Sequence, residues 1–201
     1  EDDETSVLTS DQQEEDERHI FFRWKNGDTY EGEWKRDKSG KKCRHGDGVY
    51  TWKNGCKFEG SFMNGKMHHG MREWKEDDEC VWKFEGYWKE FDAPACPWFS
   101  SGQPLSYRDV SDHSKITTSV PHGYGTLYFP ETGSWVKPEG YRNYTGQFER
   151  GKPIGHAFIH MREENTIYDG DTKDGLPHGK GKIISQGNVV YEGDFFESKK
   201  H

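Results

Sequence analysis

Tyr30-Glu-Gly-Glu-Trp34, the opening of the stretch YEGEWKRDKSGKKCRHGDGVYTWKNG (30–55), decides the fold. A strand points successive side chains to opposite faces. Tyr30, Gly32 and Trp34 therefore share one face, and Glu31 and Glu33 take the other. The pattern returns at Phe58-Glu-Gly-Ser-Phe62, Phe84-Glu-Gly-Tyr-Trp88, Tyr144-Thr-Gly-Gln-Phe148, Tyr168-Asp-Gly-Asp-Thr172 and Tyr191-Glu-Gly-Asp-Phe195. Successive starts lie 28, 26, 60, 24 and 23 residues apart, a solenoid-like period with one insertion. Glycine between two rings leaves room for rings of adjacent strands to lie across the backbone.

A second pattern falls inside the same period: His45-Gly-Asp-Gly48, His69-Gly70, His122-Gly-Tyr-Gly125 and His178-Gly-Lys-Gly181, with a worn copy at Ile154-Gly-His-Ala157. Here Gly46, Gly48, Tyr50 and Trp52 share a face. Asn26-Gly27, Asn54-Gly55, Asn64-Gly65 and Asp174-Gly175 supply residues that tolerate positive φ in tight hairpin turns. Each repeat is thus one β-hairpin carrying an aromatic stripe. A lone hairpin is marginal in water, so neighbours must complete its core. The predicted fold is all-β, an elongated, twisted single-layer antiparallel sheet of stacked hairpins over 19–196. Ile20–Trp24 reads as the second strand of a leading half-repeat, and Tyr191–Phe196 as a trailing half-repeat. Both ends leave an open strand edge.

Composition agrees. Of the 201 residues 30% are hydrophobic and 15% aromatic, so rings make up half of the apolar inventory and strands are favoured over a Leu/Ala bundle. The net charge of -8 sits in residues 1–18, which hold nine acids against Arg18, and the remainder is neutral. The head is expected to be disordered, or an interaction tail ordered by a partner, with a polar tail at 197–201. No broad basic face suggests a nucleic-acid partner. Cys43, Cys56, Cys80 and Cys96 form no Cys-x-x-Cys pair, which points to reduced thiols rather than a zinc site. No stretch is long and apolar enough to span a bilayer and no signal-peptide pattern opens the chain, so a cytoplasmic setting is expected.

Together these motifs resemble MORN repeats across roughly residues 20–196. The resemblance implies a repeat scaffold; the family includes ciliary radial-spoke head proteins, junctional membrane tethers, and accessory segments of lipid kinases and of a lysine methyltransferase. His122–Ser134 is similar to a stretch of radial-spoke head subunits. The expected role is therefore a non-enzymatic scaffold that assembles protein subunits, or copies of itself, in a cytoskeletal structure, the axoneme of the cilium or flagellum.

Candidate sites follow. The insertions at 35–44 and 89–120 both follow first strands and leave by one edge, while 130–143 leaves by the other. Trp98 and Phe99 in the long insertion are expected partner anchors, with Trp34, Trp52 and Trp88 on the ring face. The ring face itself is expected to need covering by partners. Lys35, Arg36, Lys38, Lys41, Lys42 and Arg44 form a basic cluster suited to an acidic protein surface. Its alternative use is an anionic phospholipid, which the family resemblance implies as phosphoinositide, giving a membrane-tethering module. His45, His69, His122 and His178 are read as sharing one pre-glycine position, a role repeated along the array and hence packing rather than catalysis. Glu31, Glu59, Glu85, Asp169 and Glu192 should form a solvated stripe opposite the rings. No nucleophile elbow, phosphate loop or dinucleotide fingerprint is present. No catalytic residue, cofactor or metal is assigned.

Overall fold

A computed structural model describes residues 18–75, 81–91, 107–108, 118–130, 140–163 and 165–201. These form a single 14-stranded sheet. Its strands are β1 (His19–Arg23), β2 (Thr29–Arg36), β3 (Lys42–Thr51), β4 (Lys57–Met63), β5 (Lys66–Lys75), β6 (Val81–Phe91) and β7 (Tyr107–Arg108). They continue as β8 (Thr118–Tyr128), β9 (Tyr141–Glu149), β10 (Lys152–Met161), β11 (Thr166–Lys173), β12 (Leu176–Ser185), β13 (Asn188–Phe196) and β14 (Lys199–Lys200). Each strand pairs antiparallel with the next in sequence, except that the short β7 lies off the path beside β8. The expected consecutive hairpins and both half-repeats are present. The loop expected at 35–44 is shorter than that: Lys35 and Arg36 extend β2, Lys42–Arg44 belong to β3, and a turn at 37–41 joins them. Likewise Lys89–Phe91 extend β6, 118–120 belong to β8, and in the polar tail Lys199 and Lys200 pair with β13.

Register explains the glycines. The third residue of each five-residue motif pairs with the last glycine of a neighbouring second strand, as in Gly32 with Gly48 and Gly60 with Gly48. Followed across twelve strands, this row reads Ile20, Gly32, Gly48, Gly60, Gly70, Gly86, Gly125, Gly146, Ala157, Gly170, Gly181, Gly193. The missing side chains make a channel, and the first ring of each motif lies in it. A methyl on Gly48 would sit 2.6 Å from the Tyr30 hydroxyl, and one on Gly181 2.5 Å from that of Tyr168.

Two residues along each strand runs the row that fills with bulk: Tyr30, Tyr50, Phe58, Arg72, Phe84, Leu127, Tyr144, Ile159 and Tyr168 are all buried. In four of the six motifs the fifth residue closes the channel over its own first ring and that of the preceding repeat. Phe62 meets Phe58 and Tyr30, both at 5.1 Å; Trp88 meets Phe84 at 5.2 Å and Phe58 at 6.1 Å; Phe148 meets Tyr144 at 5.5 Å and Phe84 at 4.9 Å. These edge-to-face contacts suit the quadrupoles of the rings. A sheet without a second layer among the described residues thus builds its core within one face.

Two turn types join the strands. Asn64-Gly65, Arg150-Gly151, Asp174-Gly175 and Gln186-Gly187 have positive φ at both residues, as two-residue hairpins demand. At Asn26-Gly27 and Asn54-Gly55 only the glycine does, contrary to the expectation from sequence. The asparagines there accept hydrogen bonds instead, from the amides of Asp28 and Cys56, both at 3.1 Å.

Candidate functional site

The candidates divide by the row on which they fall. Trp52 and Trp88 are buried, at 6% and 4% exposure, so both serve the core. Trp34 departs from the expected stripe: it is half-buried and stands outside the core cluster. The reason lies in the repeat itself. The fifth residue packs on the first ring of the preceding repeat, and β1 offers no such ring. The Trp34 face is instead occupied by cations, with Lys42 Nζ 4.0 Å and the Arg36 guanidinium 5.8 Å from its centroid. Trp98 and Phe99 lie outside the described residues, as do 131–139, Cys80, Cys96 and the acidic head. Cys43 and Cys56 form no disulfide.

The basic cluster is brought together only in part. Register sets Trp34 opposite Arg44 and Arg36 opposite Lys42 on one face, while Lys35, opposite Cys43, points to the other. Arg44 turns inward: its guanidinium lies 4.9 Å from the Tyr50 ring and 5.3 Å from Phe62, and its Nη2 donates to the Gly65 carbonyl at 2.6 Å. Arg36 donates to the Gly40 carbonyl at 2.8 Å across the turn. Lys38 and Lys41 remain exposed at the tip beside Asp37, whose carboxyl is held below its ordinary range by the Ser39 hydroxyl and by main-chain amides. The patch is therefore a basic hairpin with an aromatic flank, smaller than its six residues suggest.

The histidines correct the sequence reading. His45, His122 and His178 precede the first, positive-φ glycine of their motifs, but His69 precedes Gly70, which occupies the row of the second glycine. His69 thus stands two residues further along and packs on Tyr87 at 4.6 Å. Two of the three true pre-glycine histidines clasp the next repeat through the ring, and His178 packs on Phe196 at 5.2 Å. His45 Nδ1 accepts from the Asn64 amide and His122 Nδ1 from the Arg150 amide, each at 3.5 Å. The residue before each histidine accepts too: Gly65 N donates to Arg44 O and Gly151 N to Pro121 O, both at 2.8 Å. Spacing alone did not reveal this clasp; its only trace is that a turn follows each histidine at 19 or 28 residues.

On the face opposite the rings, Glu31, Glu59, Glu85 and Glu192 are exposed as expected. Asp169 is drawn into pairs with His156 at 2.9 Å and Lys182 at 3.0 Å. These three border an open polar cleft of ≈ 400 Å³ with Asp171, Lys180 and Glu192. Its charges largely compensate one another, and among the described residues no His, Cys, Asp and Glu set converges as metal ligands. No described helix is long and apolar enough to cross a membrane.

Motif tyrosines, two buried and one half-buried, add a polar seam. The Tyr30 hydroxyl donates to Glu33 O at 2.6 Å, Tyr168 to Asp171 O at 2.6 Å and Tyr191 to Asp194 O at 2.9 Å. Burial pushes Tyr30 up to about 12 and raises Tyr168 further.

A ribbon of identical hairpins, each completed by the next, defines a β-repeat protein whose unit is structural and whose surface is modular. The chain carries MORN repeats: six segments match that family, at residues 30–41, 44–57, 58–68, 120–136, 144–157 and 168–188. No curated protein matches the chain. The motifs beginning at Phe84 and Tyr191 fall outside the matched segments, yet Phe84, Gly86 and Trp88 pack like the others.

Proposed function

We propose that this chain is a non-catalytic scaffold that holds protein subunits in a cytoskeletal assembly, with a ciliary axoneme of the radial-spoke head type as its setting. The observation that carries the reading is the edge geometry. The connections after β2, β4, β6, β9, β11 and β13 all leave the sheet by one side. The basic hairpin 37–41 thus leaves by the same side as the end of β6, after which the sequence carries Trp98 and Phe99, on a sheet whose core rings are already buried. Such a ribbon presents loops at fixed spacing, which suits assembly better than turnover. The axonemal setting rests on the likeness of His122–Ser134 to radial-spoke head subunits.

The test is proximity labelling of the tagged chain in ciliated cells, paired with co-purification. Axonemal proteins should be labelled, and Trp98→Ala with Phe99→Ala should weaken co-purification, because aromatic anchors often carry a large share of interface energy. Labelling confined to membrane proteins, or capture unchanged by the double substitution, would overturn the setting or the anchors respectively.

A further inference from the structure

β1 and β13, the first and last strands to carry the glycine row, differ in the residue they place there. At β13 the row holds Gly193, and the Tyr191 hydroxyl lies 2.7 Å from where a methyl on it would be. Tyr191 already adopts the repeat pose, with its hydroxyl on Asp194 O. Lys199, Lys200 and His201 occupy the outer edge of β13 at 194–196, where the Tyr191 hydroxyl also reaches His201 O at 3.2 Å, and no described strand lies on that edge beside 188–193. Val189 and Val190 there are 55% and 56% exposed. This edge is shaped to receive a second-type strand that brings glycine to the row.

At β1 the row holds Ile20, paired with Gly32. Its side chain is half-buried against the core cluster, on the ring face. That volume is where the first ring of a preceding repeat would lie, as Tyr30 lies over Gly48 and Tyr168 over Gly181. The row contains one internal control. Ala157 is its other non-glycine residue, and the tyrosine beside it, Tyr144, sends its hydroxyl to Thr172 Oγ1 at 3.0 Å rather than to a main-chain carbonyl of its own strand. A single methyl coincides with a re-routed ring; three further carbons leave no channel.

We infer that Ile20 is a built-in stop that keeps the outer edge of β1 from pairing with that of β13 in another copy of the chain. Apart from the tail at 194–196, which a joining strand would have to displace, β1 and β13 are complementary. Aligned in repeat register, β1 of one copy would bring Ile20 to Gly193 and Phe22 to Tyr191 of another, and Trp34 would cover Tyr191 as Phe62 covers Tyr30. Head-to-tail joining of this kind does not close and would run to filaments. The isoleucine places a branched side chain where Tyr191 must lie, and so blocks that joint while filling the seat left at β1.

Sedimentation velocity over a concentration series tests this on the full chain. Ile20→Gly should add concentration-dependent linear oligomers absent from the parent, and Gly193→Val introduced with it should abolish them. Ile20→Ala serves if the glycine variant loses its fold, since Ala157 shows that alanine is accommodated in the row. Folded variants that sediment as the parent does would overturn the inference. So would a parent chain whose self-association is lost on Gly193→Val, because the joint would then form despite Ile20.

Discussion

Phe58 and Phe84 have no exposed surface although the described sheet has no second layer. Their burial comes from neighbouring strands: a glycine channel beneath and the fifth-position rings above. Phe58→Ala should therefore cost about 3–5 kcal/mol, as for a buried ring in a compact core. Trp34→Ala, half-buried and flanked by lysine and arginine, should cost well under half of that. Thermal melts of the pair check the ranking, and equal losses would place Trp34 in the core after all. Tyrosine ionisation gives a second handle. Tyr30 and Tyr141 are pushed by burial from 10.0 up to about 12. A raised folded value means the protonated hydroxyl is favoured in the native state. Its contribution is complete below pH 10 and lost as pH climbs through about 12. Stability should fall across that window, with part of the phenolate absorbance appearing only on unfolding. Full phenolate absorbance before unfolding would contradict the burial.

At the scale of the hairpin, turn chemistry and register act together. Asn64 has φ of +52° and its amide meets His45 of the previous repeat. Asn64→Val should destabilise by about 1–2 kcal/mol because a β-branched side chain resists that conformation; chemical denaturation reads it, and an unchanged midpoint would show the turn relaxes freely. The basic hairpin makes a different prediction. With Arg44 committed to Tyr50, Phe62 and Gly65, vesicles containing phosphoinositide should bind weakly at physiological salt, where a surface patch is screened beyond about 8 Å. Submicromolar binding lost on Lys38→Glu with Lys41→Glu would establish the lipid reading. Much of this was legible in the sequence, because period two and the Tyr-x-Gly-x-Trp spelling assign strand, face and hairpin directly. His69 was misplaced because its motif has lost one glycine, and only pairing with Ser61 and Tyr87 restores the register. The inward turn of Arg44 was hidden for a related reason: a run of cations looks uniform until cross-strand partners separate its faces.

Across the whole molecule, each repeat touches only its neighbours, so stability should be distributed in nearest-neighbour fashion. Amide exchange should be slowest in β4, β6 and β9, whose first rings are fully buried, and fastest in β1 and β14. Uniform protection from end to end would mean a single cooperative unit instead. The sequence showed the period but not this gradation, since repeats that look equivalent differ in what covers them. Ile20 illustrates the point: in a linear reading it is one apolar residue of a polar leader, and only the row across twelve strands shows that it stands where glycine belongs.

Thr172 occupies the fifth position of its motif, where the other five carry Trp or Phe. Tyr144 meets it through one hydroxyl contact of 3.0 Å, whereas Phe148 and Phe195 bridge their neighbours by ring packing. A hydroxyl pair is directional and short-ranged; stacked rings tolerate sliding. Under tension along the ribbon, the boundary between β10 and β11 is then the brittle link. Single-molecule stretching should show β11–β14 detaching first as a discrete step, and Thr172→Phe should merge that step with the rest. The chain would yield at a fixed place under load, in the manner of a mechanical fuse.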